Sequence, residues 1–263
     1  EFAHNPEPLP SNLVELCEAV VANGADFGIS VDPDVDRLAL ICENGQPFGE
    51  EYTLVSVADY LLSRIYNEAL ETGKSIEEIA APYQMVTSSN LSSSRALRDV
   101  TEQYGGEYCT AAVGEVNVTT KMREAGALIG GEGNGGVIYP ALHYGRDAMV
   151  GVALFLTNLA YKKMKVSELR ASYPEYVIAK NKIELSDSAL IDKILDEIKT
   201  VYASEDINTI DGVKISFEAR KEWVHLRKSN TEPIIRIYAE AASQEAADAL
   251  AQQIIEIANN IIK

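Results

Sequence analysis

An alternation of helical and strand-like segments from about Gly49 to Lys165 is the strongest constraint on the fold of this chain. Thr53 to Glu71 has the apolar periodicity of a long amphipathic helix, and Gly73 predicts its end. The segments that follow are predicted as a strand at Gln84 to Val86 and as helices at Ser92 to Tyr104, near Val116 and after an N-cap at Asp147. Because alternating helices and strands pack in layers around a shared sheet, this stretch predicts an α/β domain.

The two ends of the chain have different patterns. Residues 1–48 predict a helix with Ser11 as its N-cap and then two strands, which is too little for a domain with its own core. This segment is therefore interpreted as the tail of another α/β domain. After a boundary near Pro174, clustered strands with flanking helices predict a small α+β domain. Its predicted strands are Val177–Leu185, Val213–Phe217, Trp223–Leu226 and Ile234–Tyr238, and its predicted helices are Ala189–Val201 and a final one from Ser243.

The chain is strongly acidic, with 40 acidic and 23 basic residues and a net charge of −17. Non-specific binding of nucleic acid needs a basic surface and is not expected. A small anion is still compatible, because one arginine about 4 Å from a phosphate outweighs distant charges that salt screens. No apolar run approaches the roughly 20 residues of a membrane span, so no membrane partner is expected. Three widely spaced cysteines favour a reducing, cytoplasmic location.

The first candidate site is the segment Asp32-Pro33-Asp34-Val35-Asp36-Arg37, called the aspartate loop below. It lies between two predicted strands, and its three carboxylates can converge because alternate side chains share a side. A cation would relieve their repulsion, and oxygen ligands select Mg²⁺ or Ca²⁺. An EF-hand with Glu43 at its twelfth position is disfavoured, because Arg37 stands where that loop requires glycine. A Ca²⁺-binding structural protein and a solvated acidic turn are the alternatives.

The second candidate site is the glycine-rich segment Gly130 to Gly136, within which Glu132 to Gly136 is called the glycine loop below. It formally contains the dinucleotide fingerprint G-x-G-x-x-G. That fingerprint opens a helix, whereas Val137 to Pro140 predicts an extended segment, so a nucleotide site is disfavoured. Small residues around Glu132 and Asn134 suit a loop that brings a carboxylate and an amide to sugar hydroxyls. A plain connecting turn is the alternative.

The third candidate site is Arg227 to Arg236, called the arginine loop below. It combines two arginines and a lysine with two hydroxyls and an amide around a predicted turn, and this density of donors suits a phosphate dianion. A hairpin with surface charges is the alternative. His143 and His225 have no motif partner and are interpreted as structural, and Trp223 is interpreted as a core residue.

In order and spacing, the three loops resemble those of the α-D-phosphohexomutases. The aspartate loop is similar to that family's D-G-D-x-D-R metal loop, the glycine loop to its G-E-x-S/N-G-x sugar loop, and the arginine loop to its R-x-S-N-T-E-P phosphate loop. The resemblance implies a mixed-sheet α/β third domain at 49–170 and an α+β fourth domain at 171–263. The tail of an α/β second domain would precede them at 1–48.

The resemblance also implies an activity, namely a Mg²⁺-dependent mutase that interconverts hexose 6-phosphate and hexose 1-phosphate through a bisphosphate. Asp32, Asp34 and Asp36 would hold the metal, and Arg37 would contact the transferring phosphate. The remaining assigned residues are Glu132 and Asn134 for the sugar hydroxyls, and Arg227, Ser229, Asn230, Thr231 and Arg236 for the phosphate that does not react. The implied partner is therefore a phosphorylated hexose or hexosamine.

Three departures from the family pattern qualify this interpretation. No segment matches the family's T/S-A-S-H-N-P serine loop, so no catalytic nucleophile is assigned, and the chain is expected to be a C-terminal portion that is inactive without a phosphoserine domain. Pro33 replaces a usual glycine, and Gly136 stands where many members have a histidine. The G-E-G-N-G-G form, with Tyr144-Gly145-Arg146-Asp147 after it, resembles the phosphoglucosamine mutases more than the phosphomannomutase/phosphoglucomutase group. The alternative to an enzyme is a module that binds phosphosugars without catalysing a reaction.

Overall fold

A boundary between Pro174 and Glu175 divides the chain into two units in a computed structural model, which describes residues 5–184, 189–229 and 233–262. The predicted division of the first unit at residue 48 stays a prediction. Within the described ranges, no helix is both long enough and apolar enough to span a membrane.

The first unit opens with a 3₁₀ turn at Pro10–Asn12, helix α1 (Val14–Ala22) and the antiparallel strands β1 (Phe27–Val31) and β2 (Leu38–Cys42). The prediction of Ser11 as N-cap was wrong, because Ser11 lies within the 3₁₀ turn that Pro10 begins. The other elements are α2 (Glu50–Thr72), α3 (Ile76–Ala80), β3 (Gln84–Asn90), α4 (Ala96–Gln103), β4 (Glu107–Ala111), α5 (Glu115–Ala125), β5 (Ala127–Glu132), β6 (Gly136–Ile138), α6 (Ala148–Lys162) and α7 (Val166–Ala171).

A mixed four-stranded sheet with the strand order β4-β3-β5-β6 organises this unit, as the mixed-sheet prediction expected. Strands β4, β3 and β5 are parallel, and β6 returns antiparallel to β5. The predicted ends of the helices depend on local chemistry: Gly73 ends α2 in the left-handed conformation, and the Asp147 carboxylate caps α6 by accepting the Val150 N–H at 3.0 Å. The carboxyl ends of three neighbouring strands therefore meet at one edge of the sheet.

A buried carboxylate, Asp59 on α2, ties the helices of this unit together. It accepts hydrogen bonds from the hydroxyls of Tyr104 (2.7 Å) and Tyr173 (2.9 Å), and Lys162 Nζ pairs with it at 3.0 Å. Burial, followed by the charge of Asp59, raises the pKa of Tyr173, so this phenol stays protonated and keeps donating. Because the partners come from α6 and from the ends of α4 and α7, Asp59 fixes how these segments pack around α2.

The second unit is the predicted α+β domain, with an antiparallel sheet in the order β7-β11-β10-β9-β8. Its elements are β7 (Val177–Glu184), α8 (Ala189–Val201), β8 (Asp206–Asn208), β9 (Val213–Phe217), β10 (Glu222–Lys228), β11 (Ile234–Ala241) and α9 (Gln244–Ile262). Apolar side chains from alternate positions of the strands pack with those of α8 and α9 in one core. Helices therefore cover one face of the sheet.

His225 on β10 is buried, with 1% of its surface exposed, and points away from the core residues Val224 and Leu226. Its Nε2 lies 2.6 Å from the carbonyl oxygen of Asp211, which can only accept, so the neutral ring donates from this nitrogen. Burial is the main reason that the pKa of His225 falls from 6.5 to about 4. The residue is a structural one, as the sequence interpretation held, and Trp223 beside it is buried and donates to Glu240 at 2.6 Å.

We expect the second unit to lose stability as the pH falls from 6.5. His225 then binds a proton in the unfolded chain, whereas in the folded chain it stays neutral down to about pH 4. The loss should reach about 2 kcal/mol at pH 5. Urea unfolding followed by the fluorescence of Trp223, the single tryptophan, measures it. His225→Gln should remove this slope and His143→Gln should keep it. Equal slopes in the unaltered chain and His225→Gln would contradict the assignment.

Candidate functional site

The aspartate loop brings its three carboxyl groups together, since one oxygen each of Asp32, Asp34 and Asp36 lies within 4.8 Å of the others. The loop turns at Val35, whose φ of 59° is left-handed. Asp32 Oδ1 accepts the backbone N–H groups of Asp36 (3.0 Å) and Arg37 (2.9 Å), which fixes the turn from inside. Pro33 is compatible with this arrangement.

The pKa values of buried Asp32 and half-buried Asp36 shift in opposite directions. Burial opposes ionisation of Asp32, but the backbone N–H groups of Arg37 and Asp36 hold its pKa below the ordinary value. Burial and the neighbouring carboxyl group of Asp32 raise the pKa of Asp36. The surroundings therefore favour the charged form more at Asp32 than at Asp36.

The aspartate loop fits a hard divalent cation by a test that does not depend on its sequence motif. Asp32 Oδ2 and Asp36 Oδ1 are buried and accept no hydrogen bond from the described residues. Arg37 Nε is near, at 3.0 Å from the first oxygen and 3.8 Å from the second, without donor alignment. Buried carboxylate oxygens without hydrogen-bond partners are costly, and Mg²⁺ takes such ligands.

The glycine loop is a tight connection between β5 and β6, which excludes the dinucleotide fingerprint because no helix follows. Asn134 Oδ1 accepts the Gly136 N–H at 3.1 Å and closes the turn. Gly133 N–H donates to Ser93 Oγ at 3.0 Å, and a side chain at Gly133 would overlap the carboxylate of Glu51. Gly133 therefore leaves room for the Glu51 carboxylate against the loop.

Glu132 is buried and already has three hydrogen-bond donors. Its Oε1 accepts from Asn90 Nδ2 (2.9 Å) and from the backbone of Gly114 (3.3 Å), and its Oε2 accepts from Arg146 Nη1 (2.7 Å). Glu132, Asn90 and the Gly114–Glu115 pair follow or end the parallel strands β5, β3 and β4. The carboxyl ends of the sheet therefore gather these groups at one edge, where ligands of open α/β sheets bind.

The aspartate loop and the glycine loop meet at this edge. The backbone N–H of Leu38 donates to the carbonyl of Gly135 at 3.0 Å, and the N–H of Ala148, at the start of α6, donates to Val35 at 3.0 Å. Arg146 joins the two loops through its side chain, because its guanidinium pairs with Asp36 as well as with Glu132. Two of the three sequence motifs thus form a single site in the first unit.

Sequence reasoning missed several residues of this site. Arg146 and Glu115 pair with each other at 3.3 Å, and Asn90, Ser93 and Glu51 support the glycine loop. The sequence interpretation used Arg146 only as part of the segment Tyr144 to Asp147 and gave it no role at a site, and the other four residues belong to none of the three motifs. A positional signal is available only for Asn90, which follows the strand predicted at Gln84 to Val86, since no strand is predicted directly before Glu115.

The arginine loop lies in the second unit. Arg227 on β10 stands directly opposite Arg236 on β11, and Arg227 Nε pairs with Asp211 at 3.1 Å. Ser229 is buried, and its N–H donates to Ile234 at 3.0 Å. Asn230 and Thr231 lie outside the described residues. Like charges directly opposite each other destabilise a strand pair, so an anion between these arginines would be favourable.

We expect Gly135→Ala to destabilise the first unit more than a matched change at Gly105. Both glycines are left-handed, with φ of 88° and 73°, so each alanine costs about 1 kcal/mol in backbone strain. A side chain at Gly135 would also overlap the carbonyl of Leu38, whereas nothing lies within 4 Å at Gly105. An extra loss of about 2 kcal/mol is expected in urea unfolding followed by circular dichroism. Equal losses would show that the loops do not meet at Gly135.

Three family descriptions match consecutive parts of the chain. They are phosphoglucomutase/phosphomannomutase alpha/beta/alpha domain II at residues 1–45, alpha/beta/alpha domain III at 58–176 and the C-terminal domain at 180–257. Together they cover most of the 263 residues.

Relatives and a solved structure agree with these matches. A probable phosphoglucosamine mutase of Methanopyrus kandleri is 32% identical over 98% of this chain and 53% of its own length. A phosphoglucomutase/phosphomannomutase of Thermococcus kodakarensis is 36% identical over 93% of this chain and 50% of its own length. The crystal structure of a phosphoglucomutase/phosphomannomutase family protein from Burkholderia thailandensis covers 97% of this chain and 51% of that chain, with a TM-score of 0.76 and 26% identity.

The chain spans about half the length of the curated relatives that it matches. The matched domains run in family order along nearly all of the sequence, and the aspartate and glycine loops meet at one site. The chain belongs to the phosphoglucomutase/phosphomannomutase family, the α-D-phosphohexomutases.

Proposed function

We propose that the chain supplies the metal-binding, sugar-binding and distal phosphate-binding parts of a Mg²⁺-dependent phosphohexomutase, which interconverts hexose 6-phosphate and 1-phosphate through a bisphosphate. The observation that carries the proposal is the junction of the aspartate loop and the glycine loop through Arg146, in a chain of this family. Glucosamine phosphate is the proposed sugar, supported by the Methanopyrus kandleri relative. Glucose or mannose phosphate is the second candidate, supported by the Thermococcus kodakarensis relative.

Asp32, Asp34 and Asp36 would hold Mg²⁺ through the carboxylate oxygens that converge in the aspartate loop. Bound there, the ion would neutralise charge on the phosphoryl group during transfer. Arg37 would contact the same phosphoryl group. Its guanidinium now pairs at 3.1 Å with Glu7, a half-exposed residue, and a surface pair of this kind is weak enough to exchange for a phosphate.

Glu132 and Asn134 would bind the sugar. A carboxylate has about four lone-pair sites, so Glu132 can accept a sugar hydroxyl besides its three present donors. Asn134 uses its side-chain oxygen within the turn and would offer its amide hydrogens. In the second unit Arg227, Arg236 and Ser229 would hold the non-reacting phosphate, together with Asn230 and Thr231.

The phosphoserine is proposed to come from a separate domain, because no segment of this sequence matches the family's serine loop. The same observation favours a second candidate, a module that binds phosphosugars without catalysis. Turnover distinguishes the two: a mutase part should become active when the phosphoserine domain of a relative is added, and a binding module should not.

We expect the chain to bind one Mg²⁺ or Mn²⁺, detected by calorimetry. Asp36→Asn and Asp32→Asn should weaken binding at least about tenfold, because each removes a charged ligand with a buried oxygen. Asp26→Asn, an exposed change in the same segment, is the matched control. Strong preference for Ca²⁺ without any effect of phosphosugars would instead support a Ca²⁺-binding structural protein.

We expect glucosamine 6-phosphate to bind more tightly than glucose 6-phosphate or mannose 6-phosphate in a calorimetric titration. Arg227→Ala should weaken each by about tenfold or more, since one charge-assisted contact is worth about 1.5–3 kcal/mol. Arg220→Ala, an exposed arginine of the same unit, should have no effect.

Binding that does not depend on Arg227 would remove the arginine loop from the proposal. Turnover measured on the same preparation should stay at background. Turnover that Arg227→Ala abolishes would show that the chain carries its own phosphoryl acceptor and contradict the proposed division of the site.

A further inference from the structure

We propose that Arg146 is a positioning residue that couples the aspartate loop to the glycine loop, so that cation binding and the charge state of Glu132 depend on each other. The inference rests on the metal site of the proposed function. It adds that binding of a cation there affects Glu132, a residue of the proposed sugar-binding loop.

The guanidinium of Arg146 touches three carboxylates on three different parts of the first unit. It pairs closely with Asp36 Oδ2 in the aspartate loop and with Glu132 Oε2 at the end of β5, the latter at 2.7 Å. Its Nε lies 3.3 Å from Glu115 Oε2 at the start of α5, whose other oxygen accepts the Arg146 backbone N–H at 3.0 Å. The arginine is therefore held in place by its backbone and shared by both loops.

Partial burial leaves the charges of these ion pairs less screened than the charges of surface pairs. The exposed fraction of the side chain is 17% for Arg146, 18% for Asp36 and 8% for Glu132. In such surroundings a change of charge at one carboxylate is poorly screened and is felt by the guanidinium that both carboxylates share. Asp36 and Glu132 therefore compete for one arginine.

The pairing also decides which oxygen of Asp36 faces the cluster. Oδ2 is taken by Arg146, while Oδ1 is buried and accepts no hydrogen bond from the described residues. A cation held by the three aspartates would use the oxygen that Arg146 leaves. When Glu132 loses its charge, Arg146 pairs more fully with Asp36, draws its charge away from the cation and weakens cation binding.

A substitution at Gly136 provides a second, independent way to disrupt the ion pairs of Arg146. A side chain added at Gly136 would overlap Cδ of Arg146 and would come within 3.1 Å of Asn134 Oδ1. The reach of Arg146 across the glycine loop therefore requires glycine at position 136. Gly136→Ala should displace the guanidinium without changing any charged group.

The test is a double-mutant cycle on Mn²⁺ affinity, measured by calorimetry on the full chain without phosphosugar. Glu132→Gln should weaken Mn²⁺ binding about fivefold when Arg146 is present. In an Arg146→Met background the same change should cost about twofold or less, because the guanidinium shared by Glu132 and Asp36 is absent, which makes the coupling about 2.5-fold or more, within the range found for contacting groups. The Gly136→Ala background should behave like Arg146→Met, and Arg146→Lys should retain part of the coupling.

Arg123→Gln, an exposed arginine of α5, is the matched control and should leave the fivefold effect intact. Circular dichroism checks that each variant is folded. If Arg146→Met does not fold, Gly136→Ala takes its place in the double-mutant cycle. An equal effect of Glu132→Gln in all backgrounds would overturn the coupling and leave the proposed function standing. Failure of the unaltered chain to bind Mn²⁺ would overturn both.

Discussion

One guanidinium among three carboxylates holds the candidate site together. Two like charges about 4 Å apart repel by about 4 kcal/mol at an effective dielectric near 20, so Asp36, Glu115 and Glu132 could not gather without a cation between them. Arg146 is that cation, and it arrives with the turn before α6. This neutralisation offsets the repulsion among the aspartate loop, the start of α5 and the end of β5 where they come together.

The arginines of the two units have opposite electrostatic surroundings. In the first unit Arg146 pairs with three carboxylates, which neutralise its positive charge. In the second unit Arg227 and Arg236 face each other across two strands, with Asp211 as the carboxylate that pairs with Arg227. Within the described residues, Arg227 and Arg236 thus place positive charge in local excess in a chain with a net charge of −17. Local arrangement, not overall charge, decides which ligand each region suits.

Local chemistry explains which features the sequence predicted well. The aspartate loop could be found because its carboxylates are neighbours in the chain, and the end of α2 because Gly73 alone can adopt the conformation there without strain. The partners of Glu132 could not be found in this way, since topology, not spacing, brings Asn90 and Arg146 to it. Ser11 misled because a preceding proline favoured a 3₁₀ turn over a cap.

A side chain added at position 136 would overlap the side chain of Arg146, and this overlap has an evolutionary consequence. A side chain at position 136 is disfavoured while the arginine still crosses the loop, and loss of the arginine is disfavoured while three acidic groups still pair with it. Each single substitution is disfavoured in the background of the other residue, so the order of changes is restricted by epistasis. Relatives that carry a larger residue at the equivalent of Gly136 should have exchanged the arginine and its acidic partners in the same ancestral interval.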